Sequence, residues 1–151
     1  MQNAAKVAIT LEIRSRLDQV RLIRAAMSGV LGHLLVAEAD IQALELAVTE
    51  VVNNSIEHGY GGSDSGQIKV EIRLHDSEVQ VDVIDHAPPF PEAERYRLLN
   101  DTILLEDPSD EWPIRGHGLQ IVRQIADLIT LKCDNTQNVV TLCKNVSVRD
   151  E

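Results

Sequence analysis

The fold of this chain is decided within residues 44–59, which read LELAVTEVVNNSIEHG. Apolar residues at helical spacing run through this stretch from just before its start, namely Ile41, Leu44, Val48, Val51, Val52 and Ile56. We predict an amphipathic helix that Asp40 caps and that ends at Gly59, where glycine tolerates the left-handed conformation. Glu50, Asn54 and His58 are spaced four apart, which places Glu50 and Asn54 on one helix face, one turn apart. A carboxylate and an amide oxygen held in this way could offer a bound nucleotide a base and a magnesium ligand.

Alternating apolar residues on either side of this helix predict β-strands. The chain opens with such a strand, built on Val7, Ile9, Leu11 and Ile13, and a helical pattern then covers residues 17–34. The clearest β signal lies at residues 68–83, where apolar and polar residues alternate on both sides of a short turn at residues 76–77. We predict an antiparallel hairpin with one packed and one wet face, and Asp85 stands at its end.

The C-terminal part of the chain adds one more helix and one more hairpin. A helical pattern runs from Leu119 to Ile129, and residues 131–133 and 139–144 then pair as strands around the turn Asp134-Asn135. Strands that pair as hairpins, with helices grouped between them, favour a two-layer α+β sandwich. We expect one mixed or antiparallel sheet, covered by helices on one face.

Residues 86–115 break this regularity. Prolines prevent regular structure near both ends of the segment, at positions 88, 89, 91, 108 and 113, and only a short helix between Glu92 and Asn100 is predicted. Thirty residues with little periodicity inside a compact domain indicate a functional lid.

Composition narrows the function classes. The chain has 151 residues, 44% of them hydrophobic, which predicts a single domain, residues 1–151. Its net charge of −10 disfavours direct binding to nucleic acid.

No apolar stretch approaches the roughly 20 residues that a membrane span needs, and the start of the chain lacks the apolar core of a secretion signal. The two cysteines fit neither a disulfide framework nor a metal pattern. We expect a cytoplasmic protein.

Each polar feature has an ordinary alternative when it is taken alone. Glu50 and Asn54 could be solvated residues on the polar side of the helix, and His58 suits the negative end of the helix dipole. Asp85 is either a turn carboxylate bonded to its own backbone or a buried acceptor for an amine such as that of adenine. Residues 116–118, Gly-His-Gly, are either a turn that leads into a helix or a loop whose backbone N–H groups face phosphates.

The order of these features resembles the GHKL (histidine-kinase-like) ATPase superfamily with its Bergerat ATP-binding fold, and within it the bacterial anti-sigma factor serine kinases. Residues 47–60 look like the N box of that family, and residues 116–122 look like its second glycine box. The resemblance spans roughly residues 7–144, and the N box is its most specific part. Two positions depart from the pattern: Ala87 stands where the family usually has glycine, and Gln137-Asn138 stands where many relatives carry Gly-Thr.

The resemblance assigns a role to each matching residue. Asn54 would ligate Mg²⁺, Glu50 would act as the general base or orient the attacking hydroxyl, and Asp85 would bind the adenine amine of ATP. Ala87 belongs to the first glycine box. The second box would supply backbone contacts near the phosphates through Gly116, His117, Gly118 and Leu119.

Three functions follow from this resemblance. The leading hypothesis is an anti-sigma factor that is also a serine/threonine-protein kinase, binds Mg-ATP, sequesters a sigma factor, and phosphorylates a STAS-type anti-anti-sigma antagonist. The family also implies a homodimer. The alternative is a non-catalytic partner-switching regulator with weak or absent ATP binding, which Ala87 and the glycine-free lid favour. The ATP domain of a sensor histidine kinase ranks below both, because no phospho-accepting histidine helix precedes the first strand.

Overall fold

The computed structural model of the chain describes residues 4–89 and 120–150. Its strands are β1 (Val7–Arg14), β2 (Gln67–His75), β3 (Glu78–Asp85), β4 (Leu128–Cys133) and β5 (Asn138–Asn145). They form one sheet in the order β1-β2-β3-β5-β4, and every neighbouring pair is antiparallel. Two long helices, α1 (Val20–His33) and α2 (Glu38–Asn54), precede the central hairpin. The predicted α+β sandwich and both hairpins are confirmed.

The core lies between the helices and one face of the sheet. Alternate residues of β2 and β3 are buried on that face, namely Ile68, Val70, Ile72, Leu74, Val79, Val81 and Val83. They form one cluster with the apolar sides of α1 and α2. The opposite face of the sheet is polar, and there Arg73 lies between Glu71 and Asp82. Alternation in the sequence therefore sets which face the helices cover.

The start of α2 differs from the prediction. Asp40 is not the N-cap, because the helix begins at Glu38 and the cap position is Ala37, with no side-chain cap. The Asp40 carboxylate instead accepts a hydrogen bond from the backbone N–H of Ser147, 2.8 Å away. It therefore joins the helix to the segment that follows β5.

The end of α2 also differs. The α-helical part stops at Asn54, and Ser55–Gly59 form a π-helical turn, in which the Tyr60 N–H donates to the Ser55 carbonyl at 2.8 Å. Gly59 does not adopt the left-handed conformation that we predicted. Gly61 and Gly62 do so instead, with φ of 60° and 79°. A π turn takes one more residue per hydrogen-bonded ring than an α turn, so the four-residue spacing that aligns Glu50 with Asn54 does not extend to His58.

The helix predicted over residues 119–129 ends earlier in the structure. Within the described residues it covers 120–125, and Ile129 lies in β4. Asp127 ends the helical run because its backbone N–H donates to the Cys143 carbonyl and its carboxylate accepts the Asn145 N–H, at 2.8 and 2.6 Å. Among the described residues, no helix has both the length and the apolar content that a membrane crossing requires.

Several predictions fall on residues outside the described ranges. These are most of the lid, including the helix between Glu92 and Asn100, and four residues of the second glycine box, namely Gly116, His117, Gly118 and Leu119.

Candidate functional site

A buried carboxylate lies at the end of the central hairpin. Asp85 is the last residue of β3 and continues the buried face of that strand, with only 2% of its surface exposed. Three groups donate hydrogen bonds to it: the Ser55 hydroxyl to Oδ2 at 2.7 Å, and the Asn138 amide and the Ala87 N–H to Oδ1 at 2.8 and 3.1 Å. A buried charge is tolerated only when it is paired or well hydrogen-bonded, and Asp85 meets this condition through neutral donors.

Asn138 fixes Asp85 from the neighbouring strand. The two residues are paired in the register between β3 and β5. The Asn138 Nδ2 group donates to Asp85 Oδ1 and to the carbonyls of Ala87 and Pro88, at 2.8, 3.1 and 3.2 Å. Because all three neighbours are acceptors, the orientation of the amide is determined. Its oxygen, Oδ1, is buried and has no hydrogen-bond partner among the described residues.

Ser55 ties α2 to the same carboxylate. It is the first residue of the π turn, follows Asn54 directly, and is 1% exposed. Its hydroxyl bond to Asp85 therefore joins the end of the helix that carries Glu50 and Asn54 to the end of β3. This bond holds the end of α2 against the end of β3.

Gly59 and Ala87 lie against each other beside this cluster. A Cβ built on Gly59 would lie 3.0 Å from the Ala87 Cβ and 3.8 Å from Asp85 Oδ2. Ala87 is buried, and its backbone N–H and carbonyl are both hydrogen-bonded within the cluster. The methyl group of Ala87 thus occupies space that glycine leaves free at position 59.

Tyr60 closes the outer side of the cluster. Its hydroxyl donates to the Gln67 carbonyl at 2.6 Å and accepts the His86 N–H at 2.8 Å. Burial raises the pKa of this hydroxyl, so it stays protonated and keeps its role as a donor. The residue that follows Asp85 is therefore held in place from the loop after the π turn.

Glu50 and Asn54 lie one turn apart on α2, and both are half-buried. Burial raises the pKa of the Glu50 carboxyl, and the negative charge of Glu57 raises it further. A general base works best when its pKa is close to the working pH, so this shift suits proton transfer. His58 Nε2 is 3.9 Å from Glu57 Oε2.

The Asn54 amide oxygen could ligate a magnesium ion at this position. Within the described ranges, no group of three or more His, Cys, Asp or Glu side chains could hold a metal ion. A single amide oxygen fits Mg²⁺ that keeps water and phosphate oxygens as its other ligands.

The structure thus places four predicted site residues, and two of them, Asp85 and Ala87, are in direct contact. Ser55 was not predicted to belong to the site, and Asn138 was predicted only to depart from the family pattern. The alternation through Val79, Val81 and Val83 already placed Asp85 on the buried face, and a buried carboxylate requires donors of this kind.

Comparisons with known proteins identify a family and several relatives. The model of the histidine kinase-like ATPase domain matches residues 13–144. The chain is similar to serine-protein kinase RsbW of Listeria monocytogenes serotype 4a (strain HCC23), with 29% identity over 132 residues, 87% of this chain and 83% of the relative. It is also similar to serine-protein kinase RsbW of Oceanobacillus iheyensis, with 21% identity over 143 residues, 95% of this chain and 89% of the relative.

Two solved structures share the fold. The structure of the RsbU and RsbW domains of Rv1364c from Mycobacterium tuberculosis superposes with a TM-score of 0.66 and 20% identity; the match covers 95% of this chain and 33% of that one. The catalytic domain of histidine kinase ThkA gives a TM-score of 0.56 and 18% identity over 91% of this chain and 95% of that one. Because the family model covers most of its length, the chain belongs to the histidine kinase-like ATPase domain family, as its N box and glycine box predicted.

Proposed function

We propose that this protein is an ATP-dependent serine/threonine-protein kinase that acts as an anti-sigma factor. The observation that carries the proposal is the buried Asp85, fixed by Ser55, Ala87 and Asn138 at the end of the sheet, in a chain whose N box carries Glu50 and Asn54. Serine-protein kinases named RsbW are similar to the chain over most of their length.

In this proposal one end of the site binds the adenine of ATP and the other end binds its phosphates. Asp85 accepts a hydrogen bond from the exocyclic amine of adenine, and Asn54 would hold Mg²⁺, whose charge would offset the negative charge of the phosphates. The second glycine box, Gly116, His117, Gly118 and Leu119, supplies backbone contacts to the phosphates.

Glu50 is the proposed catalytic residue. The hydroxyl oxygen of the target serine or threonine forms a bond to the γ-phosphorus, the bond from that phosphorus to the bridging oxygen breaks, and ADP leaves. The hydroxyl proton goes to the Glu50 carboxylate, whose raised pKa favours its acceptance.

The proposed partners are proteins. The phosphoryl acceptor is a STAS-domain anti-anti-sigma protein, and the sequestered partner is a sigma factor, as in a cytoplasmic partner switch. We further propose a homodimer. These assignments rest on family membership and on the RsbW relatives.

One observation favours a second function, a non-catalytic switch with weak ATP binding. The Asp85 carboxylate already accepts three hydrogen bonds, and the Ala87 methyl fills space beside it. A site that is satisfied without a ligand gains less from binding one.

Phosphotransfer from labelled Mg-ATP to a panel of STAS-domain proteins distinguishes the two functions. We expect one acceptor to be labelled on a hydroxyl, and Glu50→Gln to lower the rate by about 10²–10⁴-fold while ATP binding persists. Glu38→Gln, on the exposed first turn of the same helix, is the matched control and should keep full activity. Absence of labelling with every acceptor, together with retained sigma-factor binding, would establish the non-catalytic switch.

A further inference from the structure

We infer that Tyr60 is a positioning residue for nucleotide binding: its hydroxyl holds the peptide group between Asp85 and His86 and thereby fixes the strand end that carries the Asp85 carboxylate. This inference rests on the proposed function, because it assumes that a nucleotide binds at Asp85. Tyr60 acts through the protein backbone and not by contact with the nucleotide.

The first step concerns the peptide group that follows the last paired residue of β3. Asp85 is paired with Ile68 of β2 and with Asn138 of β5, and within the described residues neither pairing extends to His86. The His86 N–H therefore lies beyond the sheet, where a side-chain oxygen or water must accept its hydrogen bond. It donates to the Tyr60 hydroxyl at 2.8 Å. The phenol thus continues the hydrogen bonding of the sheet by one peptide group.

The second step concerns the Tyr60 hydroxyl, which is an acceptor and a donor at the same time. It accepts from the His86 N–H and donates to the carbonyl of Gln67, the first residue of β2, 2.6 Å away. Burial raises the pKa of this hydroxyl, so its proton remains available to Gln67 at neutral pH. One oxygen therefore joins the start of β2 to the end of β3, and phenylalanine could make neither bond.

The third step concerns the loop that supports the tyrosine ring. A Cβ built on Gly66 would lie 2.5 Å from Cε1 and 2.6 Å from Cδ1 and Cζ of Tyr60, so glycine leaves the room that the ring occupies. Ser15, which is buried, binds Gly66 twice: its N–H donates to the Gly66 carbonyl at 2.9 Å, and its hydroxyl accepts the Gly66 N–H at 3.0 Å. The same hydroxyl donates to the Ser63 carbonyl. The ring is thus supported by a loop that is fixed to the residue after β1.

The fourth step concerns what this arrangement contributes to binding. His86 is also fixed from its other side, because its Nδ1 lies 3.1 Å from the carbonyl of Thr136, in the turn between β4 and β5. The backbone that follows Asp85 is therefore ordered before a ligand arrives. An acceptor on ordered backbone loses less conformational freedom when it binds. Loss of the Tyr60 hydroxyl should weaken nucleotide binding and leave the transfer step, at Glu50, unchanged.

The test compares wild-type protein with Tyr60→Phe, which removes one oxygen and keeps the ring. By isothermal calorimetry, we expect the affinity for Mg-ATP to fall about threefold to tenfold, the range expected for one hydrogen bond. In phosphotransfer to a STAS-domain acceptor, KM for ATP should rise by a similar factor while kcat stays within about twofold of wild type. Ser65→Ala, which removes an exposed hydroxyl from the same loop, is the matched control and should change neither quantity.

Unchanged ATP affinity in Tyr60→Phe would overturn the inference. An equal fall in affinity and in kcat would also overturn it, because a general structural role lowers both. If wild-type protein binds ATP, either result leaves the proposed function intact. If wild-type protein binds no nucleotide at millimolar concentration, the proposed function itself fails, and the inference fails with it.

A second measurement needs neither activity nor a variant, so it does not depend on how Tyr60→Phe folds. Amide hydrogen exchange of wild-type protein without nucleotide is followed by NMR and corrected for intrinsic rates. The His86 N–H should exchange at least about tenfold more slowly than that of Asp64, an exposed residue of the supporting loop. Equal exchange at the two positions would contradict the inference, because the His86 peptide group would then not be held.

Discussion

The two ends of the candidate site are built differently. At the sheet end, Asp85 is 2% exposed and accepts three hydrogen bonds from Ser55, Ala87 and Asn138. At the helix end, Glu50 and Asn54 are half-buried and form no side-chain hydrogen bond within the described ranges. One end is thus organised before a ligand arrives, whereas the other end keeps its polar groups available.

This difference matches two different tasks. Recognition of a base requires fixed acceptors, because a preformed site loses little conformational entropy on binding. Phosphoryl transfer requires groups that engage a metal, phosphates and an incoming hydroxyl, so those groups cannot be committed to each other. A direct link between the ends is the hydrogen bond from Ser55, the residue after Asn54, to Asp85.

Removing that link should have the largest effect on stability. Ser55→Ala deletes a buried hydrogen bond to a carboxylate, so we expect the free energy of unfolding to fall by about 1.5–3 kcal/mol. Urea unfolding measures the change. Ser28→Ala, an exposed serine in α1, is the matched control and should stay within about 0.5 kcal/mol of wild type. Equal stability of the two variants would contradict the view that Ser55 joins the two ends.

Gly59→Ala, next to Ala87, is expected to have a smaller effect on the free energy of unfolding. Gly59→Ala places a methyl group 3.0 Å from the Ala87 Cβ, and Ala87 cannot move away because its N–H and carbonyl are bonded. We expect a loss of about 1–2 kcal/mol in urea unfolding, after a partial gain in helix propensity. The double variant Gly59→Ala, Ala87→Gly should recover most of the loss. Additive effects in this cycle would show that the two residues do not interact.

The smallest expected effect on stability is that of Glu50→Gln, a substitution at the helix end of the site. Because the pKa of Glu50 is raised in the folded protein by burial and by Glu57, its ionised form destabilises the fold at neutral pH. Glu50→Gln should therefore raise Tm at pH 7, and the gain should shrink as pH falls and vanish below the pKa of glutamate in the unfolded chain. Glu12→Gln, an exposed residue of β1, is the control. A gain in Tm that becomes larger at acidic pH would contradict a raised pKa of Glu50 in the folded protein.

The sequence predicted the parts of this site that depend on local spacing. The four-residue interval placed Glu50 and Asn54 on one face of α2, and the period-two alternation of β3 ran directly into Asp85. Both signals are short-range, so a single chain carries them without reference to tertiary structure.

The partners of Asp85 could not be predicted in the same way. Ser55 reaches the carboxylate from a π turn, whose sequence pattern does not differ clearly from that of an α-helix that simply continues. Asn138 reaches it through the register of β5 against β3, between residues far apart in the chain. The error at Asp40 has the same origin, because its role is decided by a long-range contact with Ser147, whereas the error at Gly59 comes from the π turn.

Whether a nucleotide binds with its base at the buried carboxylate is tested most directly by calorimetric titration of wild-type protein and of Asp85→Asn with Mg-ATP. We expect saturable one-site binding to wild-type protein and a loss of affinity of at least about tenfold in the variant, because an amide at position 85 cannot accept from all the donors around it. Circular dichroism of the variant, which should keep the fold, serves as the control. Equal affinity of the two proteins, or no binding by wild-type protein at millimolar nucleotide, would contradict this binding mode.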